Sequence, residues 1–305
     1  MGAGHGHGHA AGRAEDRSRL RWVLAVTGTI LVVELVGAWT TGSLALLADA
    51  GHMATDAGAV VLALGASYVA SRPGTGRSTF GYHRVEVMAA FVNGVVLLGV
   101  CGYLGYAGIA RLAAPQEVAG GAMVLFALVG LVANAVSMLI LSRADSSSLN
   151  MRGAINEVLA DLLGSVLAVV AGLVIVVWGW ERADPVASLL IAALVLPRAV
   201  LLIRDAGRVL LELAPVDLDL DEVRHHLLHA PGVVDVHDLH AWTITSGMTS
   251  LSAHVSVTDE VLAQGVGGVL DALGDCVAAH FGVEHATFQV EPVGHRDHEH
   301  LGEMH

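Results

Sequence analysis

Six long apolar stretches fill the first two thirds of the chain, and they restrict its fold more than any other feature. A helix needs about 20 consecutive apolar residues to cross the hydrocarbon core of a bilayer. The stretches reach or approach that length and are joined by short connections, which predicts one bundle of six transmembrane helices. The predicted spans are Arg21–Trp39, Leu44–Ala70, Val85–Leu112, Ala122–Leu141, Gly153–Trp178 and Pro185–Ile203.

The arginines predict how this bundle is oriented. The chain has no lysine, and its arginines concentrate before span one, in the loops after spans two and four, and after span six. The opposite loops hold little positive charge. The positive-inside rule therefore predicts a multi-pass protein of the cell (inner) membrane with both termini in the cytosol. Trp178 and Trp180 lie where an outer interfacial belt of aromatic residues is expected.

A change of composition near Ala214 predicts the end of the membrane part. Acidic residues follow abruptly, and the remainder has the composition of a soluble domain. The net charge of −13 argues against nucleic acid as a partner. Histidine-rich tails at both ends are either weak collectors of metal or segments without a role. The predicted regions are a His/Gly-rich cytosolic tail (1–19), a six-span domain (20–213), a cytosolic metal-binding and dimerisation domain (214–293) and a His-rich tail (294–305).

Ionisable side chains inside two predicted spans indicate a function within the membrane, because burying them there is costly. Span two carries Asp49, His52 and Asp56 on one helical face, and span five carries Glu157 and Asp161 one turn apart. If the helices face each other, one imidazole and three carboxylates can surround a divalent cation. The alternatives are a water-filled cavity or polar contacts between helices. Asp49 is then a second-shell group, a residue on the ion's path or a structural acid.

The types of ligand narrow the choice of metal. An imidazole favours zinc, cobalt, nickel, copper or iron over magnesium and calcium, and the absence of a thiolate disfavours copper(I). Three carboxylates make the site harder than one with two histidines, so manganese and iron(II) remain open as alternatives.

Three segments resemble the cation diffusion facilitator family. Leu47–Asp56 (LADAGHMATD) is similar to its second-span signature, Phe80–Glu86 (FGYHRVE) to the start of its third span and Glu157–Ser165 (EVLADLLGS) to its fifth span. The resemblance extends through the C-terminal domain. It implies a homodimer that exports zinc, with cobalt or cadmium, in exchange for protons by alternating access. Many zinc-transporting members have histidine in place of Glu157, whereas the bacterial cobalt–zinc–cadmium resistance branch is similar to this chain.

The C-terminal domain reads as α+β from its periodicity. A helix, two strands, a second helix broken near Gly265–Gly268 and a third strand give the order αββαβ. The resemblance implies a ferredoxin-like or metallochaperone-like fold for this domain. Because side chains alternate along a strand, four polar residues are expected on the sheet face away from the helices. These are His237, His254, His285 and Glu291, which either bind metal, form a dimer interface, or are ordinary solvated side chains.

The predicted fold is thus an all-α six-helix transmembrane bundle followed by a small α+β cytosolic domain. We expect proton-coupled antiport, since a proton and a metal ion compete for the same lone pair of His52. Zn²⁺ is then substrate and regulatory ligand, and no prosthetic group is expected. A metal receptor that moves no ions is a rival interpretation. A membrane enzyme is another, but no nucleophile–base constellation supports it.

Overall fold

The computed structural model describes residues 28–72, 76–141 and 149–295. Five of its helices are long and apolar enough to cross a membrane, and a shorter apolar helix precedes them. The start of the predicted first span and the predicted N-terminal tail lie outside the described residues. The helices are α1 (Gly28–Thr41), α2 (Leu44–Ala70), α3 (Arg84–Ala113), α4 (Gly120–Leu141), α5 (Leu149–Trp178) and α6 (Ala183–Leu210).

A buried carboxylate holds the start of α2. Ser43 precedes the helix, and its hydroxyl accepts from the backbone N–H of Leu46 at 3.1 Å, as an N-cap residue does. Asp184, at the start of α6, accepts from the same hydroxyl at 2.6 Å and from the backbone N–H groups of Leu44 and Ala45. Asp184 therefore satisfies donors that the helix itself cannot, and the first turn of α2 is a favourable place for its negative charge.

Small residues allow α4 and α5 to pack closely. A Cβ atom added to Gly172 on α5 would lie 2.7 Å from the Cγ2 atom of Val124 and 3.2 Å from its backbone nitrogen. Backbone atoms cannot move aside as a flexible side chain can. The absence of a side chain at Gly172 thus sets the distance between the two helices, as small residues commonly do within membranes.

We expect Gly172→Ala to lower the stability of the protein by about 1–3 kcal/mol, because the added methyl group overpacks the contact between α4 and α5. Gly105→Ala on α3 is the matched control, since nothing lies within 4 Å of a Cβ atom there and alanine is the better helix former. Thermal unfolding in detergent measures both variants. Equal melting temperatures for the two would contradict this packing account.

The outer surface of the helices is apolar. Large side chains such as Val61, Tyr106 and Ile109 are more than half exposed, whereas smaller residues such as Ala48 and Ala168 are buried between helices. A soluble bundle would have the opposite arrangement, so this surface fits contact with lipid tails. Trp178 is 72% exposed at the end of α5, in keeping with an interfacial position.

The C-terminal domain has two layers. Its elements are α7 (Leu220–Leu228), β1 (Val233–Thr245), β2 (Met248–Val257), α8 (Asp259–Gln264), α9 (Gly267–Phe281) and β3 (His285–Pro292). The sheet order is β1-β2-β3, with β1 antiparallel and β3 parallel to β2. Asp219 caps α7 by accepting from the N–H groups of Asp221 and Glu222.

The helices α7 and α9 cover one face of this sheet. Val223 and Leu227 of α7 and Leu273 of α9 are fully buried against Val255 and other inward side chains of the strands. The order of elements is αββααβ, because Gly265, at a φ of 99°, ends α8 before α9 begins. The helical segment that the sequence predicts as broken is therefore two separate helices.

The chain divides into two compact units by packing. One comprises the described parts of Met1–Leu62 and Val92–Ile203, and the other those of Ala63–Phe91 and Arg204–His305. The second unit therefore includes the end of α2 and the start of α3 together with the C-terminal domain. Within this unit, the hydroxyl of Thr245 donates to Glu86 at 3.3 Å.

Candidate metal centres

His52 lies between two aspartates in the first unit. Its Nε2 atom is 2.9 Å from Oδ1 of Asp161 on α5, and its Nδ1 atom is 3.4 Å from Oδ2 of Asp56, one turn further along α2. His52 is only 4% exposed. The i, i+4 spacing on α2 and the packing of α2 near α5 thus bring a nitrogen and two carboxylates from different predicted spans together.

Glu157 joins this group through an arginine. Arg198 on α6 donates through Nη1 to Asp56 at 3.1 Å and through Nη2 to Glu157 at 3.3 Å. Its side chain is 43% exposed and that of Glu157 is 40% exposed. The structure therefore gathers all four predicted transport-site residues around one locus, with a guanidinium across two of the carboxylates.

Arg198 is the residue that the sequence interpretation missed. It lies inside the predicted sixth span, and an ionisable side chain there is as unusual as His52 or Asp161. That signal was available from the sequence, but the arginine has no ligand-type neighbour at helical spacing on α6. Its partners come only from α2 and α5, which the sequence alone does not place beside it.

A second buried polar group adjoins the first. The hydroxyl of Ser165 donates to Asp49 at 3.2 Å and accepts from the side-chain amide of Asn134 at 3.1 Å. Asp49 is 1% exposed and Glu34 is fully buried. Added Cβ atoms would collide with Glu34 at Gly130 and lie 2.9 Å from Asp49 at Gly164. These glycines make room for two acids, so Asp49 belongs to a network beside the four residues rather than among them.

The geometry suits a divalent transition-metal ion as substrate. One imidazole nitrogen and three carboxylate groups supply enough donors for four-coordination, and all come from helices rather than loops. His52 lies 2.9 Å from Asp161 and 3.4 Å from Asp56, whereas Glu157 is linked to them through Arg198, so side chains must rotate before all four point at a common ion. Arg198 contacts Oδ2 of Asp56 and Oε1 of Glu157, so its positive charge opposes that of an ion at the same carboxylates.

A second cluster lies on the sheet of the C-terminal domain. His237 on β1 pairs with His254 on β2, and their ring centroids are 5.4 Å apart. Glu291 on β3 is buried, with Oε1 3.2 Å from Nε2 of His237 and Oε2 3.9 Å from Nδ1 of His254. Ligand atoms of these three residues all lie within 4.8 Å of one another. The strand alternation thus brings them to the face away from α7 and α9.

His285, the fourth residue predicted for this cluster, lies apart from it. It begins β3 opposite Ser250, and its ring packs against Phe80 with 5.2 Å between centroids. The alternation of side chains gives the correct face but not the position along the strand. Glu291 reaches His237, whereas His285 lies at the other end of the same strand.

Two aspartates on β1 add to the cluster. Asp235 lies 3.3 Å from Nδ1 of His237, and Asp238 lies 3.6 Å from Nε2 of His254 and 2.9 Å from Nε2 of His240. Asp238 has a φ of 47° in a bulge between His237 and His240. The bulge turns Asp238 towards His254 and breaks the strict alternation that the sequence interpretation assumed. Of the predicted tails, only Gly294 and His295 are described.

Comparison with known proteins agrees with this architecture. The profile of the cation efflux transmembrane domain matches residues 20–211, and that of the cation efflux protein cytoplasmic domain matches residues 215–293. The metal cation efflux system protein CzcD of Cupriavidus metallidurans is 44% identical, covering 95% of this chain and 90% of that protein. The zinc transporter ZitB of Escherichia coli is 40% identical, covering 90% and 87%.

Two further similar proteins are an antiporter and a solved domain structure. The cadmium, cobalt and zinc/H(+)-K(+) antiporter of Bacillus subtilis is 36% identical, covering 89% of this chain and 88% of that protein. The metal-bound C-terminal domain of the CzcD transporter from Cupriavidus metallidurans is 40% identical. It aligns with a TM-score of 0.23 and covers 24% of this chain and 99% of that domain.

The family matches, the relatives and the five long apolar helices define a multi-pass membrane transporter rather than an enzyme. The chain belongs to the cation efflux family. It is accordingly a cation efflux protein, and its C-terminal dimer-forming domain makes it a homodimer.

Proposed function

We propose that this protein exports divalent transition-metal ions, zinc first and cobalt or cadmium with it, from the cytosol in exchange for protons. The observation that carries the proposal is His52 held between Asp56 and Asp161 of two membrane helices, with Glu157 beside them. One relative is described as a zinc transporter and another as a cadmium, cobalt and zinc/H(+)-K(+) antiporter. The transport site of this account is His52, Asp56, Glu157 and Asp161.

Protonation of His52 supports the coupling to protons. Both ring nitrogens face carboxylate oxygens, and a carboxylate oxygen accepts but does not donate a hydrogen bond. Without metal, the contact of 2.9 Å with Asp161 therefore suits a ring with a proton on Nε2, and the negative charge of Asp56 near Nδ1 favours a second proton there. A metal ion binds through the lone pair of one ring nitrogen, so metal binding releases the proton of that nitrogen to water. Protons entering from outside reverse the step and displace the metal.

In this proposal, Arg198 provides the positive charge of the transport site when no metal ion is bound. In the state described, its guanidinium provides positive charge to Asp56 and Glu157, which stabilises these carboxylates in the absence of an ion. An incoming metal ion replaces that charge, and Arg198 swings away. Pro197 precedes the arginine and removes one backbone hydrogen bond from α6, which makes a change of its helix geometry easier at this point.

The arrangement of the chain across the membrane follows from the arginines. We propose that both termini and the domain over 214–293 are cytosolic and that residues 20–213 form the membrane domain, of six spans, in the bacterial inner membrane. The ion then enters from the side of the C-terminal domain. The site opens to either side in turn as the helices rock, as expected of alternating access.

Flux measurements test the proposal. The purified protein is placed in vesicles that contain a zinc-sensitive dye, a pH gradient is imposed, and zinc, cobalt, cadmium and manganese are compared. Zinc uptake that depends on the gradient is expected. Transport of manganese but not of zinc would mean that the substrate is a harder ion, as the three carboxylates allow. Zinc binding without flux of any metal would favour a receptor instead of a transporter.

We further propose that His237, His254 and Glu291 bind a regulatory zinc ion in the cytosolic domain. In an Asp161→Ala background, which lacks the transport site, His254→Ala is expected to weaken zinc binding about tenfold or more. His285→Ala is the matched control, because that ring lies on the same strand as Glu291 but contacts Phe80. Competition with a fluorescent chelator measures both. A larger loss of zinc affinity in His285→Ala than in His254→Ala would place His285 in the cluster and contradict this assignment.

A further inference from the structure

A third group of ligand-type residues lies on the helices of the C-terminal domain. It comprises His226 on α7 and Cys276 and His280 on α9, one turn apart. A nitrogen from each histidine and the sulfur of Cys276 all lie within 4.8 Å of one another. This group is separate from the sheet cluster, because α7 and α9 cover the opposite face of the sheet.

Core packing fixes the positions of these three residues. Leu227 follows His226 and Val277 follows Cys276, and both apolar side chains are fully buried in the domain core. The two helices are therefore held in one register by the core. His226 and Cys276 are half-buried and His280 is exposed, so they lie at the rim of the helix pair where an ion can enter.

The rings are oriented for a shared ion. Nδ1 of His280 lies 3.0 Å from the backbone oxygen of Cys276. A carbonyl oxygen only accepts, so Nδ1 carries the proton and Nε2 offers its lone pair. Metal-binding histidines commonly hold their second nitrogen in this way. The ring of His226 is 4.9 Å from that of His280 and rests against Phe281 at 5.1 Å, which limits its motion.

We propose that His226, Cys276 and His280 bind a divalent zinc, cobalt or cadmium ion. Zn–N and Zn–S bonds of about 2.0–2.3 Å place the ligands of a tetrahedral site about 3.3–3.8 Å apart. The three ligand atoms thus need to close by at most about 1 Å, which these half-buried and exposed side chains achieve by rotation. One thiolate with two imidazoles selects these ions over manganese, magnesium and calcium. A water molecule completes the four ligands.

The bound ion would link α7 to α9. A thiol is protonated at neutral pH, so the ion displaces a proton when it binds the sulfur of Cys276. The site differs from the transport site in kind, since it contains sulfur and no carboxylate. It would therefore bind metal ions from the cytosol through softer ligands than those of the transport site.

Cobalt absorption of the full-length protein in detergent tests this site. A thiolate bound to Co²⁺ gives an intense near-ultraviolet charge-transfer band that histidine and carboxylate ligands do not give. We expect this band to saturate at one ion per chain, to vanish in Cys276→Ser, and to need about tenfold or more cobalt in His226→Ala and His280→Ala. His225→Ala is the matched control on the same helix and is expected to leave the band unchanged.

Two results would overturn the proposal. One is a wild-type protein without the band at saturating cobalt, and the other is a band that persists in Cys276→Ser or ignores both histidine substitutions. Alkylation of Cys276 gives an independent measurement. Zinc is expected to slow the alkylation about tenfold in the wild type and not in His280→Ala, and equal rates with and without zinc in the wild type would contradict the site. Neither readout depends on transport, so failure here leaves the export proposal standing.

Discussion

Zinc flux is expected to fall to background, by about a hundredfold or more, when Asp161 is replaced by alanine. Asp161 contacts Nε2 of His52 at 2.9 Å, and together they join the ligands of α2 to those of α5. Its loss removes one carboxylate donor and the partner that orients the imidazole. Asp56→Ala is expected to act similarly, because Asp56 contacts both His52 and Arg198.

The control for this prediction is Asp205→Ala. Asp205 is an exposed acid on α6 that pairs with its neighbour Arg204, and such surface pairs contribute little. This variant is expected to transport zinc as the wild type does. Flux in sealed vesicles, together with the melting temperature of each variant, separates lost function from lost folding. Substantial zinc flux by a folded Asp161→Ala protein would remove Asp161 from the site.

Replacement of Arg198 by alanine is expected to tighten zinc binding by about tenfold and to slow transport. The guanidinium lies 3.1 Å from Asp56 and 3.3 Å from Glu157, so it competes with the ion for both carboxylates. Two unit charges 4 Å apart interact by about 4 kcal/mol at an effective dielectric constant of 20. Solvent screening reduces this value, because Arg198 is 43% exposed, and about 1.4 kcal/mol corresponds to the tenfold change.

Slower transport follows from the same competition. Without the arginine, nothing replaces the ion at Asp56 and Glu157 when it leaves, so release becomes the slow step. The zinc affinity and transport rate of Arg198→Lys are expected to lie between those of the wild type and Arg198→Ala. An ammonium group is a point charge that does not bridge both carboxylates. Calorimetry of zinc binding and vesicle flux measure the two effects. Arg204→Ala is the control, and weaker zinc binding in Arg198→Ala would mean that the arginine organises the site instead of competing with the ion.

The apolar helices, and the neighbouring positions of His52 and Asp56 within α2, could be predicted from the sequence because both depend on local spacing. The four-residue transport site stays a prediction. Helical periodicity brings His52 near Asp56, and Glu157 near Asp161, whatever the rest of the fold. That α2 and α5 face each other was an assumption, and the short distance between His52 and Asp161 agrees with it. Arg198 could not be assigned in the same way, since its partners are all on other helices.

In the C-terminal domain, two kinds of feature could not be predicted from the sequence pattern. Alternation along β1 and β3 predicted the face of His237 and Glu291, but the bulge at Asp238 and the position of His285 depend on strand register. The group of His226, Cys276 and His280 joins helices that are distant in the sequence, and only packing of α7 on α9 brings it together. A one-dimensional pattern contains no signal for such a contact.

The position of bound zinc is the most direct test of the transport site. Anomalous diffraction at the zinc edge, from crystals of the full-length protein grown with zinc, locates the ion without reference to activity. A peak coordinated by His52, Asp56, Glu157 and Asp161 is expected, with Arg198 no longer on both carboxylates. A zinc-saturated protein that transports zinc but shows no peak among these four residues would contradict this assignment.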